Sequence, residues 1–96
     1  MTTKFEEVWN RIIALQGQTF HTIRGLPFTY KIEGKLVWIV RENRTIPLAL
    51  HKNNFAGSYQ TLALHRIDGP GALQEMRPTA FGTSYVWAIL TDPRIK

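Results

Sequence analysis

Cysteine is absent from the 96 residues. That excludes disulfide staples, thiolate nucleophiles and Cys-ligated zinc, so the fold rests on a packed core in a reducing setting. Long apolar runs are missing as well. The longest, Tyr85 to Leu90, is far too short to cross a bilayer. Only Lys4 stands ahead of Glu6 and Glu7, so the start of the sequence lacks a secretory signal pattern. A cytoplasmic protein with no membrane partner is expected. Repeats, low-complexity stretches and linkers are lacking too, and the length suits one domain, 1–96. Core material is plentiful: 44% of residues are apolar, with three Trp, three Tyr and five Phe.

Acidic residues are scarce relative to basic ones, seven against twelve, for a net charge of +5. The excess is localised. Residues 24–66 hold seven cations and two anions, whereas the remainder holds five of each. A cationic middle suits a polyanion, either nucleic acid or an acidic protein surface. Its phosphate contacts would come from Arg24, Lys31, Arg41, Arg44 and Lys52, with an exposed aromatic for stacking.

Periodicity places the elements. Phe5, Val8, Trp9, Ile12 and Ile13 repeat at helical spacing, and Thr3 with Glu6 forms a capping box. Glu7 and Arg11 form an i, i+4 pair, and Gly17 stops this helix, expected over 4–16. The period then changes to two. Strands are expected over 18–23, 28–31 and 36–41, with a break at Gly25-Leu26-Pro27. A three-residue hairpin loop ending at Gly34 sets Tyr30 opposite Leu36 and Phe28 opposite Trp38. One face then carries Phe28, Tyr30, Leu36, Trp38 and Val40, for the first helix to cover. The other carries Thr29, Lys31, Val37, Ile39 and Arg41. A two-residue turn at Glu33-Gly34 would mix the faces, which favours the longer loop.

Residues 41–45 read as a polar connection, and Ile46-Pro47-Leu48 as a short edge strand. Asn53 or Asn54 caps a second helix bearing Phe55, Tyr59, Leu62 and Ala63, which Gly57 weakens by roughly 1 kcal/mol. Gly69-Pro70-Gly71 ends it, and 72–76 makes at most a short helical turn. Residues 85–90 suit a buried strand or a helix. The helix is preferred, because Thr83 or Ser84 offers a cap and Asp92-Pro93 a stop. The fold class is α+β: a small antiparallel sheet of three to four strands, packed by an N-terminal helix and C-terminal helices.

Chemistry is harder to find. His21, His51 and His65 have no metal-ligand spacing, so no metal or cofactor is expected. Ser58 and Ser84 lack a neighbouring His and acid, and Gly69-Pro70-Gly71 lacks the Lys of a phosphate loop. No catalytic residue is assigned. One enzymatic alternative remains, a small basic ribonuclease of the toxin type drawing on His51, His65, Tyr59 and the neighbouring cations. Another is a homo-oligomeric protein-interaction or ligand-binding module. Val37 and Ile39 on the second sheet face, with Trp87 in its apolar run, exceed what one small core needs and point to a homodimer.

Two segments are distinctive: Phe20-His21-Thr22-Ile23-Arg24-Gly25-Leu26-Pro27-Phe28-Thr29-Tyr30 and Ser84-Tyr85-Val86-Trp87-Ala88-Ile89-Leu90-Thr91-Asp92-Pro93-Arg94-Ile95. In this respect the chain resembles small bacterial proteins carried on mobile DNA, such as those of integron gene cassettes. The resemblance implies a bacterial cytoplasmic protein and carries over no activity and no functional residues. The combined reading is a non-enzymatic binding or accessory module with a cationic surface for nucleic acid.

Overall fold

The computed structural model describes residues 4–96. An amphipathic helix α1 (Lys4–Ala14) leads into four strands, β1 (Phe20–His21), β2 (Pro27–Glu33), β3 (Leu36–Arg41) and β4 (Arg44–His51). Three helices follow, α2 (Lys52–Leu64), α3 (Pro70–Met76) and α4 (Thr83–Thr91). The strands form one antiparallel meander in the order β1-β2-β3-β4. This is the α+β arrangement expected, and residues 85–90 are helical. Among the described residues, no helix is long and apolar enough to cross a membrane.

The sheet register differs from expectation. β2 continues to Glu33, which pairs with Leu36 across a two-residue turn at Gly34 and Lys35. Gly34 takes φ +62°, the left-handed value that tight hairpin turns assign to glycine. Tyr30 therefore opposes Ile39, and Ile32 opposes Val37. The pairing has moved by an odd number of residues, so the faces of β3 are exchanged. Val37 and Ile39, expected on an outer face, are fully buried beneath the helices, while Leu36, Trp38 and Val40 point the other way. The helix-covered space already holds Trp9, Phe28, Tyr30 and Phe55. The slimmer Val37 and Ile39 fill what remains, where the Trp38 indole would overpack it.

The remaining corrections are local. β4 has eight residues, not three, because a two-residue turn at Glu42 and Asn43, both at positive φ, brings Arg44 opposite Arg41. Pro47 lies on this edge strand, as its missing N–H requires. The strand expected over 18–23 shortens to Phe20–His21. Helix α2 is capped by His51, whose Nδ1 accepts from the Asn53 amide at 3.0 Å, and not by Asn53 or Asn54. Gly82, at φ +59°, stands at the N-cap of α4, where Thr83 or Ser84 was expected. Thr3 lies outside the described residues. Arg11, expected to pair with Glu7, donates to the Ile95 carbonyl at 3.0 Å.

The core explains the layering. The Tyr30 hydroxyl donates to the Ile12 carbonyl at 2.6 Å, satisfying one of the orphan acceptors at the end of α1. Burial raises the Tyr30 hydroxyl pKa far above its ordinary value, so it remains a donor. The two distinctive segments meet here: Phe28 packs edge-on to Tyr85 at 5.0 Å, and the Arg94 guanidinium lies 4.3 Å from the Phe20 ring centre. Helix α3 rests on α2 and α4.

Gly57 illustrates how packing overrides propensity. A Cβ there would lie 2.6 Å from Nη1 of Arg77, which donates to the Asn54 carbonyl and the buried Ser58 hydroxyl at 2.9 and 2.7 Å. Gly57→Ala gains about 1 kcal/mol of helix propensity but displaces bonds worth about 1.5–3 kcal/mol. Urea titrations should show a net loss of about 1 kcal/mol, turning into a gain of similar size once Arg77 is also Ala.

Candidate nucleic-acid interface

Helices cover one face of the sheet, where Phe28, Tyr30, Val37, Ile39 and Leu50 are buried. Along the other face no described residue reaches full burial. Its central row is Leu36, Trp38 and Val40 on β3. Thr29, Lys31 and Glu33 of β2 flank it on one side, and Thr45, Pro47, Ala49 and His51 of β4 on the other. Lys31 and Ala49 are the cross-strand partners of Trp38. The small Ala49 leaves the indole room on the β4 side, and Lys31 sets an ammonium beside it. The Trp38 Nε1 is enclosed without an acceptor, so the half-exposed side chain offers solvent a carbon surface and not a donor. Such a surface suits stacking.

Exposed Lys35 lies in the turn at one end of β3, and exposed Arg44 opens β4 at the other. Six strand residues separate them by about 20 Å. Glu33 is the single carboxylate among the described strand positions of this face. Lys31, Lys35 and Arg44 have no ion-pair partner among the described residues.

The five cations expected to act together are divided. Lys31 lies on the open face, whereas Arg44, the cross-strand partner of Arg41, shares the orientation of Arg41 at the end of the sheet. Arg41 has the opposite orientation to Trp38 and donates to the Tyr85 hydroxyl at 3.2 Å, so it does not share a face with Lys31 as expected. Lys52 pairs with Glu6 at 3.2 Å and lies 5.5 Å from the Trp9 ring centre, within the helix layer. Arg24 sits in the loop before β2, around a pocket it shares with Ser84 and Tyr85. Of the expected interface residues, Val37 and Ile39 belong to the core of the single chain. Trp87 is half-buried on α4 with its own N–H enclosed. The residues missed were Trp38, Leu36, Val40 and Lys35. The signal for them was Gly34, which also suits a two-residue turn one position later than the one considered.

The histidines do not converge. His51 caps the start of α2 and His65 its end. Thirteen helical residues keep them about 20 Å apart, too far to share one phosphodiester. Among the described residues, no group of three His, Asp or Glu side chains is placed to hold a metal ion. In comparisons with known proteins, the chain matches no protein family, no curated protein and no solved structure.

Proposed function

We propose that the protein is a binding module whose open sheet face takes single-stranded nucleic acid. A base stacks on Trp38, and Lys31 and Lys35 reach the phosphates. The carrying observation is the placement of Trp38: central on the uncovered face, with Lys31 directly across from it and exposed Lys35 in the turn before its strand. An aromatic platform with a cationic fringe is the composition by which sheets hold single strands without reading sequence. Duplex DNA fits less well, because the stacking ring sits on a sheet face and a paired base has no free face to offer it.

The test is binding of fluorescein-labelled oligo(dT) and oligo(U) by the full chain across a salt series. Two phosphate contacts predict a slope of log K against log salt of about −1.4, a loss of roughly 7-fold between 50 and 200 mM. Salt-independent binding, or none at low salt, overturns the reading.

One observation favours a second reading. Leu36, Trp38 and Val40 form an apolar row, with Lys31 and Glu33 as opposite charges two residues apart. A two-fold pairing of sheets would bury the row and match Lys31 with the Glu33 of a second copy. Sedimentation separates the readings: a dimer formed through this face dissociates as the oligonucleotide binds.

A further inference from the structure

On the helix side, away from Trp38, a groove of about 380 Å³ runs between α1, α2 and α4. Its size falls at the small end of ligand pockets. The lining is chemically divided. Val8, Leu62, Ile67 and Leu90 give it apolar walls, while Lys4, Arg11 and Lys96 stand around it and no acidic side chain lines it. Lys4 and Arg11 are seven residues apart on α1, two turns or about 10 Å, with Val8 on the same stripe between them.

The acids next to the lining in sequence are engaged elsewhere or stand outside it: Asp68, beside Ile67, is exposed and does not line the groove. Glu6 pairs with Lys52. The Asp92 carboxylate, held below its ordinary pKa chiefly by hydrogen bonding from Arg94, binds that guanidinium at 2.9 Å. Glu7 is exposed on α1 and is not among the lining residues. The Arg11 guanidinium donates to the Ile95 carbonyl at 3.0 Å, which fixes its position while only one of its five N–H donors is used there.

We infer that this groove binds a single-chain amphiphilic carboxylic acid. The tail lies on the apolar walls, and the carboxylate accepts from Arg11 with Lys4 as a second cation. Charge complementarity selects the acid: the Lys4 and Arg11 cations beside an uncharged apolar surface favour a ligand with one anionic end and one hydrocarbon end. A polyphosphate chain would leave the walls without a partner, and a neutral lipid would leave the cations without one. The inference is independent of the sheet face, because none of the lining residues belongs to a strand.

The experiment is calorimetric titration of the full chain with octanoate, decanoate and dodecanoate below their micelle concentrations, with 1-decanol as the uncharged control. Each added methylene should tighten binding by about fourfold until the groove is filled. Decanol should bind at least about tenfold more weakly than decanoate. Lys4→Gln with Arg11→Gln should lower decanoate affinity by about tenfold or more and leave decanol unchanged. Ala63→Glu, at an exposed lining position where folding is not at stake, should also repel the acid. Equal affinity for acid and alcohol overturns the inference, as does unchanged binding in these variants. So does binding that appears only with micelles or with phosphatidylglycerol vesicles, which would assign the surface to an assembled lipid.

Discussion

Ile39→Asp should leave a chain that does not fold at 25 °C, while Val40→Asp, one residue on, should fold with a loss of about 1 kcal/mol. Ile39 is fully buried against the helices, between Tyr30 across the strand and Val37 before it, and Arg41, the cation two residues on along the same side, is engaged by the Tyr85 hydroxyl. An unpaired charge there carries a penalty above about 4 kcal/mol, most of the stability of an ordinary small domain. Val40 is half-exposed on the open face opposite Thr29 and Thr45, so its substitution forfeits mainly strand preference and a little packing. Circular dichroism and urea titration of the pair measure the sheet register directly. With the hairpin loop that the sequence favours, the ranking reverses.

The second large effect concerns binding. Trp38→Ala should weaken oligonucleotide affinity by roughly 5- to 150-fold, the range of one lost base–aromatic stack of about 1–3 kcal/mol. Trp38→Phe should restore most of it, since a ring is needed and the indole donor is enclosed. Lys31→Glu should reduce affinity and make the salt slope shallower by about 0.7, the share of one phosphate contact. Arg24→Ala, on the helix side of its loop, should change neither quantity. Both Trp38 and Lys31 lie outside the core, so near-ultraviolet circular dichroism and thermal midpoints separate binding from folding. Equal affinity of Trp38→Ala and the parent chain would remove the stacking platform from the account.

The helices were largely legible because their signals are local. The spacing of Phe5, Val8, Trp9 and Ile12 fixes α1, and the stop at Asp92-Pro93 separates α4 from a strand. The sheet was not, because its register depends on which side chains the helices leave room for. A shift of the turn from one glycine placement to the next exchanges Val37 and Ile39 with Leu36, Trp38 and Val40. Extension of β4 was hidden for another reason. Its hairpin turn sets Glu42 and Asn43 at φ 51° and 62°, and glutamate seldom signals a left-handed position.

The candidate site suffered the same two ways. Trp38 went to the wrong face with the register. Arg41 and Lys52 were taken by partners remote in sequence, Tyr85 and Glu6, at separations of 44 and 46 residues. The charge distribution located the cationic middle of the chain, residues 24–66, but not which cations remain unpaired. Of the expected set, Lys31 lies on the open face, and Arg44 follows Arg41 to the other side through their cross-strand pairing.

The most direct measurement is an amide and indole chemical-shift map of the nitrogen-15-labelled full chain titrated with oligo(dT). The account predicts the largest changes at the Trp38 indole and at the amides of Lys31, Lys35, Leu36, Val40, Thr45 and Ala49, with Trp9 and Trp87 unmoved. Changes confined to α1, α2 and α4, or none at saturating oligonucleotide in low salt, would contradict it.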